Sequence, residues 1–277
     1  MQAQAFAPAN GSLIFETYEA TEAHGSGSLG VGFTLDSGVV ATVVPAERTT
    51  IVVKNEVWEF PTVAQVVSAL ATPPVRVNLA ADLPFGCGFG MSGASALSTA
   101  YALGALFSLG RSPEELALVA HQAEIDNATG RGDVGGQFNG GFMVKTKKGA
   151  PLEVETLPIP EQTVYCRIFG PISTRDVLRD IPTMQRVNQA GRAALRQLST
   201  LPDLDLETLL YLSRTFAEES GLLRSPRVRR AIADAELAGG HASMVMLGEA
   251  VVSSVPIPGC RAYPVVKNPA SVLGMLV

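Results

Sequence analysis

The sequence has few of the residues that mark secreted or zinc-binding proteins. Only 3 of its 277 residues are cysteine, and Cys87, Cys166 and Cys260 are far apart in sequence without a CxxC spacing. Neither a disulfide framework nor a zinc site is indicated, and we expect reduced thiols in a cytoplasmic protein. The first residues show neither a basic segment nor an apolar one, so the sequence predicts no secretion signal.

Positive charge is also scarce. Lysine and arginine number 21 against 26 acidic residues, and no basic run alternates with aromatic residues as a nucleic-acid surface would require. Residues 83–110 carry no charge, but their proline and glycines leave only about residues 94–109 as good helix, which is short for a membrane span. We expect no nucleic-acid partner and no membrane, and we predict a loop followed by a buried helix.

Hydrophobic residues make up 47% of the chain and charged residues 17%, which is typical of a globular protein with a substantial core. The first third reads as several short antiparallel strands broken by Gly, Asp and Ser. A helix at about residues 61–71, the strand PVRVNLAA, a glycine-rich loop and the helix at about residues 94–109 follow. Ser112, Pro113 and Glu115 then form a capping box that opens another helix.

The second half of the sequence shows a different order of predicted elements, with four helices before three strands. Helices are predicted at residues 173–179, 182–198, 205–220 and 225–238, and strands at ASMVMLG, EAVVSSVP and RAYPVVK. The pattern indicates an α+β protein of two domains, residues 1–157 and residues 158–277, with the boundary close to Leu157.

The loop PFGCGFGMSGASA, residues 84–96, carries the strongest chemical signal. Glycines at alternate positions expose backbone N–H groups, and a helix begins at about Ser92, so the amides and the positive end of the helix dipole converge as a phosphate site requires. The GxGxxG match at residues 88–93 has no acidic residue at the end of a following strand, which disfavours a dinucleotide fold. GMSGA differs at its last residue from the GxSxG motif that surrounds the nucleophile of serine hydrolases. The P-loop motif and the protein-kinase motifs are absent.

A second group of polar residues lies in AHQAEIDNATGRGDVGGQFNGG, residues 120–141. His121 and Glu124 are three apart on a predicted helix and share a face, while Asp133 lies in a glycine-rich turn. One carboxylate could take the proton of an attacking hydroxyl and the other could bind magnesium, the two roles that phosphoryl transfer demands. The alternative is a solvated helix end followed by an ordinary turn.

These segments resemble the GHMP kinases. PFGCGFGMSGASA is similar to their PxxxGxGxSxA phosphate loop, AFAPANGSLIF to their APxxxxLxGE start, TGRGD to the loop of the catalytic aspartate, and AGGHASMVMLG to their third motif. Within that superfamily, GSGSLGVGFTLDSGV, AHQAEIDNATGRGDVGGQ and ASMVMLGEAVV resemble the archaeal pantoate kinases. The resemblance implies a two-lobed α+β fold with a ribosomal S5 domain 2-like N-terminal domain and a ferredoxin-like C-terminal domain.

The resemblance also implies an activity, the ATP-dependent phosphorylation of the 4-hydroxyl of pantoate on the route to coenzyme A. Ser92 and Glu124 would hold Mg2+, and Asp133 would face the hydroxyl as the catalytic residue. Candidate ligands for the substrate carboxylate are Ser28, His121 and Lys145, because a carboxylate needs donors and a cation. The ATP phosphates would lie against Pro84, Gly86, Gly88, Phe89, Gly90, Met91, Ser92, Gly93 and Ala94.

Three positions depart from the family pattern. Asn10 stands where a histidine or lysine is usual, Leu29 where an arginine is frequent, and Arg131 where an apolar residue is expected. Another substrate, such as mevalonate, a mevalonate phosphate or homoserine, therefore stays open, as does a nucleotide-binding module without catalysis. For the assembly, the frequency of symmetric dimers among soluble proteins favours a homodimer.

Overall fold

The computed structural model describes residues 1–19, 26–70 and 72–276. Gly25, which opens the GSGSLG segment, lies outside these ranges. In chain order the elements are β1 (Gln2–Tyr18), β2 (Gly27–Pro45), β3 (Thr50–Val53), β4 (Glu56–Val57), α1 (Pro61–Ala69), β5 (Val75–Ala81), α2 (Met91–Leu106), α3 (Pro113–Asn127), α4 (Asp133–Asn139), β6 (Phe142–Lys145), β7 (Glu155–Thr156), β8 (Gln162–Pro171), α5 (Thr174–Arg179), α6 (Ile181–Leu198), α7 (Leu206–Glu219), α8 (Pro226–Leu237), β9 (Ala242–Met244), β10 (Gly248–Ser253), β11 (Arg261–Val265) and β12 (Ser271–Leu276).

Two long antiparallel strands, β1 and β2, replace the several short strands predicted for the first third of the chain. That prediction was wrong because the glycines in these segments do not end strands. A Cβ built on Gly38 would lie 2.8 Å from the Cα of Pro8 in β1. Glycine therefore allows the two backbones to approach each other within one continuous pair of strands.

The first sheet has the strand order β12-β1-β2-β5-β3-β4, and β6 with β7 branches from β2. Helix α2 packs against β1 and β2 on one side and against α1 and α3 on the other. A helix in this central position needs small and apolar residues, because bulky or charged side chains would push it away from the sheet and from the neighbouring helices. A Cβ on Gly104, for example, would lie 2.7 Å from Leu116 of α3. Helix α3 begins as predicted, with the reciprocal hydrogen bonds of Ser112 and Glu115.

The second sheet, β11-β8-β10-β9, is antiparallel and is covered by α7 and α8, which contact β9 and β10. The four helices of the second half of the chain, α5 to α8, begin and end within one residue of the predicted spans. Strand β12 was not predicted. After β11 the chain leaves the second sheet, and β12 pairs with β1. The last strand therefore belongs to the first lobe. The boundary near Leu157 stays a prediction. None of the helices in the described ranges combines the length and apolar character needed to cross a membrane.

Candidate active site

The glycine-rich loop turns through the left-handed region of backbone conformation. The φ angles of Gly86, Gly88 and Gly90 are +74°, +88° and +57°, values that favour glycine. Gly90 is the N-cap of α2, which begins at Met91, and within the described ranges no side chain caps this helix end. The first-turn N–H groups, which have no partner inside the helix, are thus available to an anionic ligand.

This helix end lines a cavity of about 430 Å³. From the predicted set, the wall includes Gly86, Gly88, Gly90, Met91, Ser92, Ser28 and Asp133. The wall also includes residues that the sequence did not single out: Trp58, Phe60, Phe85, Arg175, Met246 and Leu247. Pro84 is exposed, and Phe89, Gly93 and Ala94 are buried behind the wall. Trp58 and Phe60 follow β4 in VWEF, but nothing in that sequence indicates that the chain brings them against Phe85 of the glycine-rich loop.

Glu124 is buried on α3 beside the first turn of α2. A Cβ built on Gly93 would lie 3.0 Å from Glu124 Oε2 and 3.4 Å from Asp133 Cβ, so both acids meet at this turn. Burial and the negative charge of Asp133 raise the pKa of Glu124 to about 7, although a 2.6 Å hydrogen bond from Thr129 opposes the rise. Ser92 is close enough to favour the carboxylate, but its hydroxyl makes no hydrogen bond of ordinary geometry within the part of the chain that is described.

Asp133 was expected in a loop and is instead the first residue of α4, so this prediction of its local structure was wrong. Two of the glycines that suggested a turn, Gly135 and Gly136, lie inside the helix, where they permit close packing: a Cβ on Gly136 would lie 3.0 Å from Asn10 Cγ. The Asn10 amide donates a 2.8 Å hydrogen bond to Asp133 Oδ1. Burial raises the pKa of Asp133 to about 6, and the hydrogen bond from Asn10 opposes that rise.

The candidate ligands for the substrate carboxylate are divided between the cavity walls and the protein interior. Ser28 lines the large cavity and also a small adjoining cavity of about 40 Å³, which Lys145 lines as well. His121 is buried and does not belong to the described walls of either cavity. Among residues 1–19, 26–70 and 72–276, neither Lys145 Nζ nor His121 Nε2 has a hydrogen-bond partner.

Burial controls the charge of this pair. It lowers the pKa of Lys145 to about 8. Burial and the nearby charge of Lys145 lower the pKa of His121 to about 4, against a hydrogen bond with the Ser26 backbone. At neutral pH the pair is therefore one ammonium group beside a neutral imidazole.

The comparisons with known proteins agree with this geometry. Residues 55–141 match the family model of the GHMP kinase N-terminal domain. The chain is 33% identical over 269 residues to a pantoate kinase of Thermococcus kodakarensis, covering 92% of this chain and 88% of the relative. It is 29% identical over 251 residues to a pantoate kinase of Methanospirillum hungatei, covering 88% and 82% of the two chains.

A solved structure described as a phosphotransferase related to the coenzyme A biosynthesis pathway superposes with a TM-score of 0.87 at 25% identity, covering 98% of each chain. The agreement extends over both lobes and over the glycine-rich loop. The chain belongs to the GHMP kinases and, by its likeness over nearly the whole length, to the pantoate kinase family within them.

Proposed function

We propose that this protein transfers the γ-phosphoryl group of ATP to the 4-hydroxyl of pantoate, forming 4-phosphopantoate for coenzyme A synthesis. One observation carries the proposal: the uncapped end of α2 and Asp133 line the same cavity, and Glu124 is buried directly beside that helix end. The family relationship supports pantoate as the acceptor, because relatives described as pantoate kinases align over nearly the whole chain.

The glycine-rich loop would hold the ATP phosphates. Its backbone N–H groups and the first turn of α2 face the cavity, and the positive end of the helix dipole attracts the phosphate charge. Arg175 lines the same cavity and donates to the carbonyl of Asn127 at the end of α3, which holds a fixed positive charge near the phosphates. Positioning and charge neutralisation are the main demands of phosphoryl transfer.

Ser92 and Glu124 fit a share in a magnesium site. The described residues form no cluster of three or more acidic, histidine or cysteine side chains, but magnesium in kinases needs only one or two protein ligands beside phosphate oxygens and water. Ser92 Oγ and Glu124 Oε2 are buried, lie near the uncapped turn and have no hydrogen-bond partner in the described ranges. Bound there, the metal would neutralise charge on the phosphates.

Asp133 is placed to act on the acceptor. Its carboxylate faces the cavity beside the helix end, so it can take the proton of the 4-hydroxyl while that oxygen attacks the γ-phosphorus and the bond to ADP breaks. With a pKa of about 6, Asp133 is mostly ionised at neutral pH. Lys145 and Ser28, which line the small adjoining cavity, would hold the pantoate carboxylate so that the hydroxyl points towards Asp133, and the neutral His121 is buried beside them without lining either cavity.

The substrate is tested by incubating the purified protein with ATP, Mg2+ and one acceptor at a time, pantoate, mevalonate, a mevalonate phosphate or homoserine, and measuring ADP release. We expect turnover with pantoate and a product whose phosphorus NMR signal is that of a phosphate monoester. Turnover with another acceptor and none with pantoate would reject the substrate assignment. ATP binding without ADP release on any acceptor would indicate a nucleotide-binding module.

The role of Asp133 is tested with Asp133→Asn, which keeps the shape of the side chain and removes the proton acceptor. We expect kcat to fall by about 100-fold or more, with little change in the KM for ATP, because the lost interaction belongs to the transition state. Full activity in this variant would contradict the assignment.

A further inference from the structure

Asn10 is a buried side chain at the point where β1, the glycine-rich loop and α4 meet. Only 4% of its surface is exposed. Its amide donates a 2.8 Å hydrogen bond to Asp133 Oδ1, and its backbone N–H donates a 3.0 Å hydrogen bond to the carbonyl of Phe89 in the loop. One residue of β1 is thus bonded both to the acid that faces the acceptor and to the loop that faces the phosphates.

The strand is deformed at this residue. Pro8 lies opposite Gly38 of β2, but Asn10 lies opposite Thr34, so the register shifts between these two neighbouring pairs. Irregularities of this kind re-aim a side chain out of the regular alternation of a strand. Here the re-aimed side chain is a buried amide that reaches the first residue of α4.

The amide has little freedom to adopt another orientation. The backbone of α4 packs against it at Gly136, where an added Cβ would lie 3.0 Å from Asn10 Cγ, and a Cβ on Gly32 of β2 would lie 3.5 Å from Asn10 Oδ1. Because the carboxylate of Asp133 only accepts hydrogen bonds, the Asn10 NH2 group must face it. This contact fixes the rotation of the Asp133 side chain.

We propose that Asn10 is a positioning residue for phosphoryl transfer: by bonding Asp133 Oδ1, it holds Asp133 Oδ2 towards the acceptor hydroxyl and in register with the phosphate loop. This inference rests on the proposed function, in which Asp133 receives the proton. Asn10 acts through Asp133. The charged or titratable groups nearest to this contact are Glu124 of α3, Arg131 before α4 and Lys145 of β6, and none of them makes a described hydrogen bond to Asp133.

The test is a double-mutant cycle on kcat with Asn10→Leu, Asp133→Asn and the double variant. Asn10→Leu keeps the branched shape of the side chain and removes the donor, and we expect kcat to fall about 10- to 100-fold with the KM values for ATP and pantoate changed less than about 3-fold. In the Asp133→Asn background the same substitution should have almost no further effect, because the carboxylate that it positions is gone.

Gln4→Leu is the matched control. Gln4 also lies on β1 and donates through its amide, in this case to Thr42 across the strands, but it is remote from the cavity. It should leave kcat unchanged. If Asn10→Leu does not fold, as judged by circular dichroism, Asn10→Ala removes the donor without adding bulk or charge and should show the same loss of kcat.

Two results would overturn the positioning role of Asn10 alone. One is wild-type kcat in Asn10→Leu or Asn10→Ala while Asp133→Asn is impaired. The other is an equal loss from Asn10→Leu in both backgrounds, which would indicate a general structural effect. Full activity of Asp133→Asn would instead overturn the proposed proton transfer and, with it, the role of Asn10.

Discussion

Lys145 is a buried amine whose position opposes folding, and the proposed function gives it the substrate carboxylate as a ligand. Its side chain is 5% exposed, and its Nζ has no hydrogen-bond partner within the described ranges. Burial lowers its pKa to about 8, so the folded protein holds a desolvated positive charge at pH 7. A folded protein retains such a destabilising buried charge where it binds a ligand of opposite charge.

Replacing this amine should therefore stabilise the folded protein and weaken its binding of pantoate. For Lys145→Met we expect a rise in the free energy of unfolding on the order of 2 kcal/mol at pH 7, measured by urea denaturation. The gain should shrink as pH rises from about 8 towards 10.5, because the folded wild type then loses its buried charge while the unfolded chain keeps it. The KM for pantoate should rise about 10-fold or more.

The matched control for this prediction is Lys147→Met. Lys147 is exposed two residues further along and pairs with Glu153, so its replacement should change neither pantoate binding nor the pH dependence of stability. A Lys145→Met protein that is less stable than wild type, or that binds pantoate normally, would contradict the role given to the amine.

The sequence indicates residue roles only where the partners are close along the chain. The three-residue spacing of His121 and Glu124 on one helix predicts that both share a face, and both are buried. The contact of Asn10 with Asp133 joins residues 123 apart, and it depends on a register shift in a strand that no local pattern indicates. Asn10 therefore appeared in the sequence only as a departure from the family pattern.

At the scale of elements, the glycine-rich loop is packed against the turn between β9 and β10. A Cβ on Gly88, at φ +88°, would lie 2.8 Å from the carbonyl oxygen of Met246, and the Met246 N–H in turn donates to the carbonyl of Ser12 in β1. The obstacle is backbone, which cannot rotate away. The resemblance connected this turn to the family's third motif, and the structure shows that the turn packs against the loop at Gly88 and lines the same cavity.

This packing predicts an unequal effect of two glycine substitutions. Gly88→Ala should raise the KM for ATP and lower the free energy of unfolding by about 2–3 kcal/mol, because strain and a backbone collision add. Gly149→Ala has a similar φ of +73° but open space around the added Cβ, so it should cost only the strain of about 1 kcal/mol and leave ATP binding intact. Equal effects in urea denaturation and ATP titration would contradict this account.

Sequence patterns predicted helices better than strands. Capping residues and prolines define the starts of α3, α7 and α8, whose first turns are indeed capped by Ser112, Asp205 and Ser225. The short helix α4 was missed because its glycines are typical of turns, and its stability comes from packing against β1 and against the loop that holds Pro151. Tertiary contacts of this kind are not visible in local propensity.

At the scale of the whole molecule, β12 ties the last residues of the chain to the first lobe. It pairs with β1 from Gln2 to Phe6, and the N–H of Ala270 just before it donates to the carbonyl of Gln137 in α4. The strand therefore supports both the edge of the sheet and the helix that carries Asp133.

Ending the chain after Val266 should lower Tm by about 5–10 °C and reduce kcat, because the edge of β1 is uncovered and α4 loses a hydrogen bond. Thermal unfolding followed by circular dichroism and the ADP-release assay measure the two effects. Met275→Thr is the control, since its exposed side chain can change while the backbone pairing remains. An unchanged Tm after truncation would show that the pairing with β1 contributes little.

The register of β12 on β1 brings Gln2 directly opposite Leu276. A short flexible peptide could join these neighbouring ends without disturbing the sheet, and new ends could be opened at the exposed turn between β6 and β7, residues 146–150. The fold is thus suited to circular permutation, and a permuted chain would keep every residue that lines the large cavity.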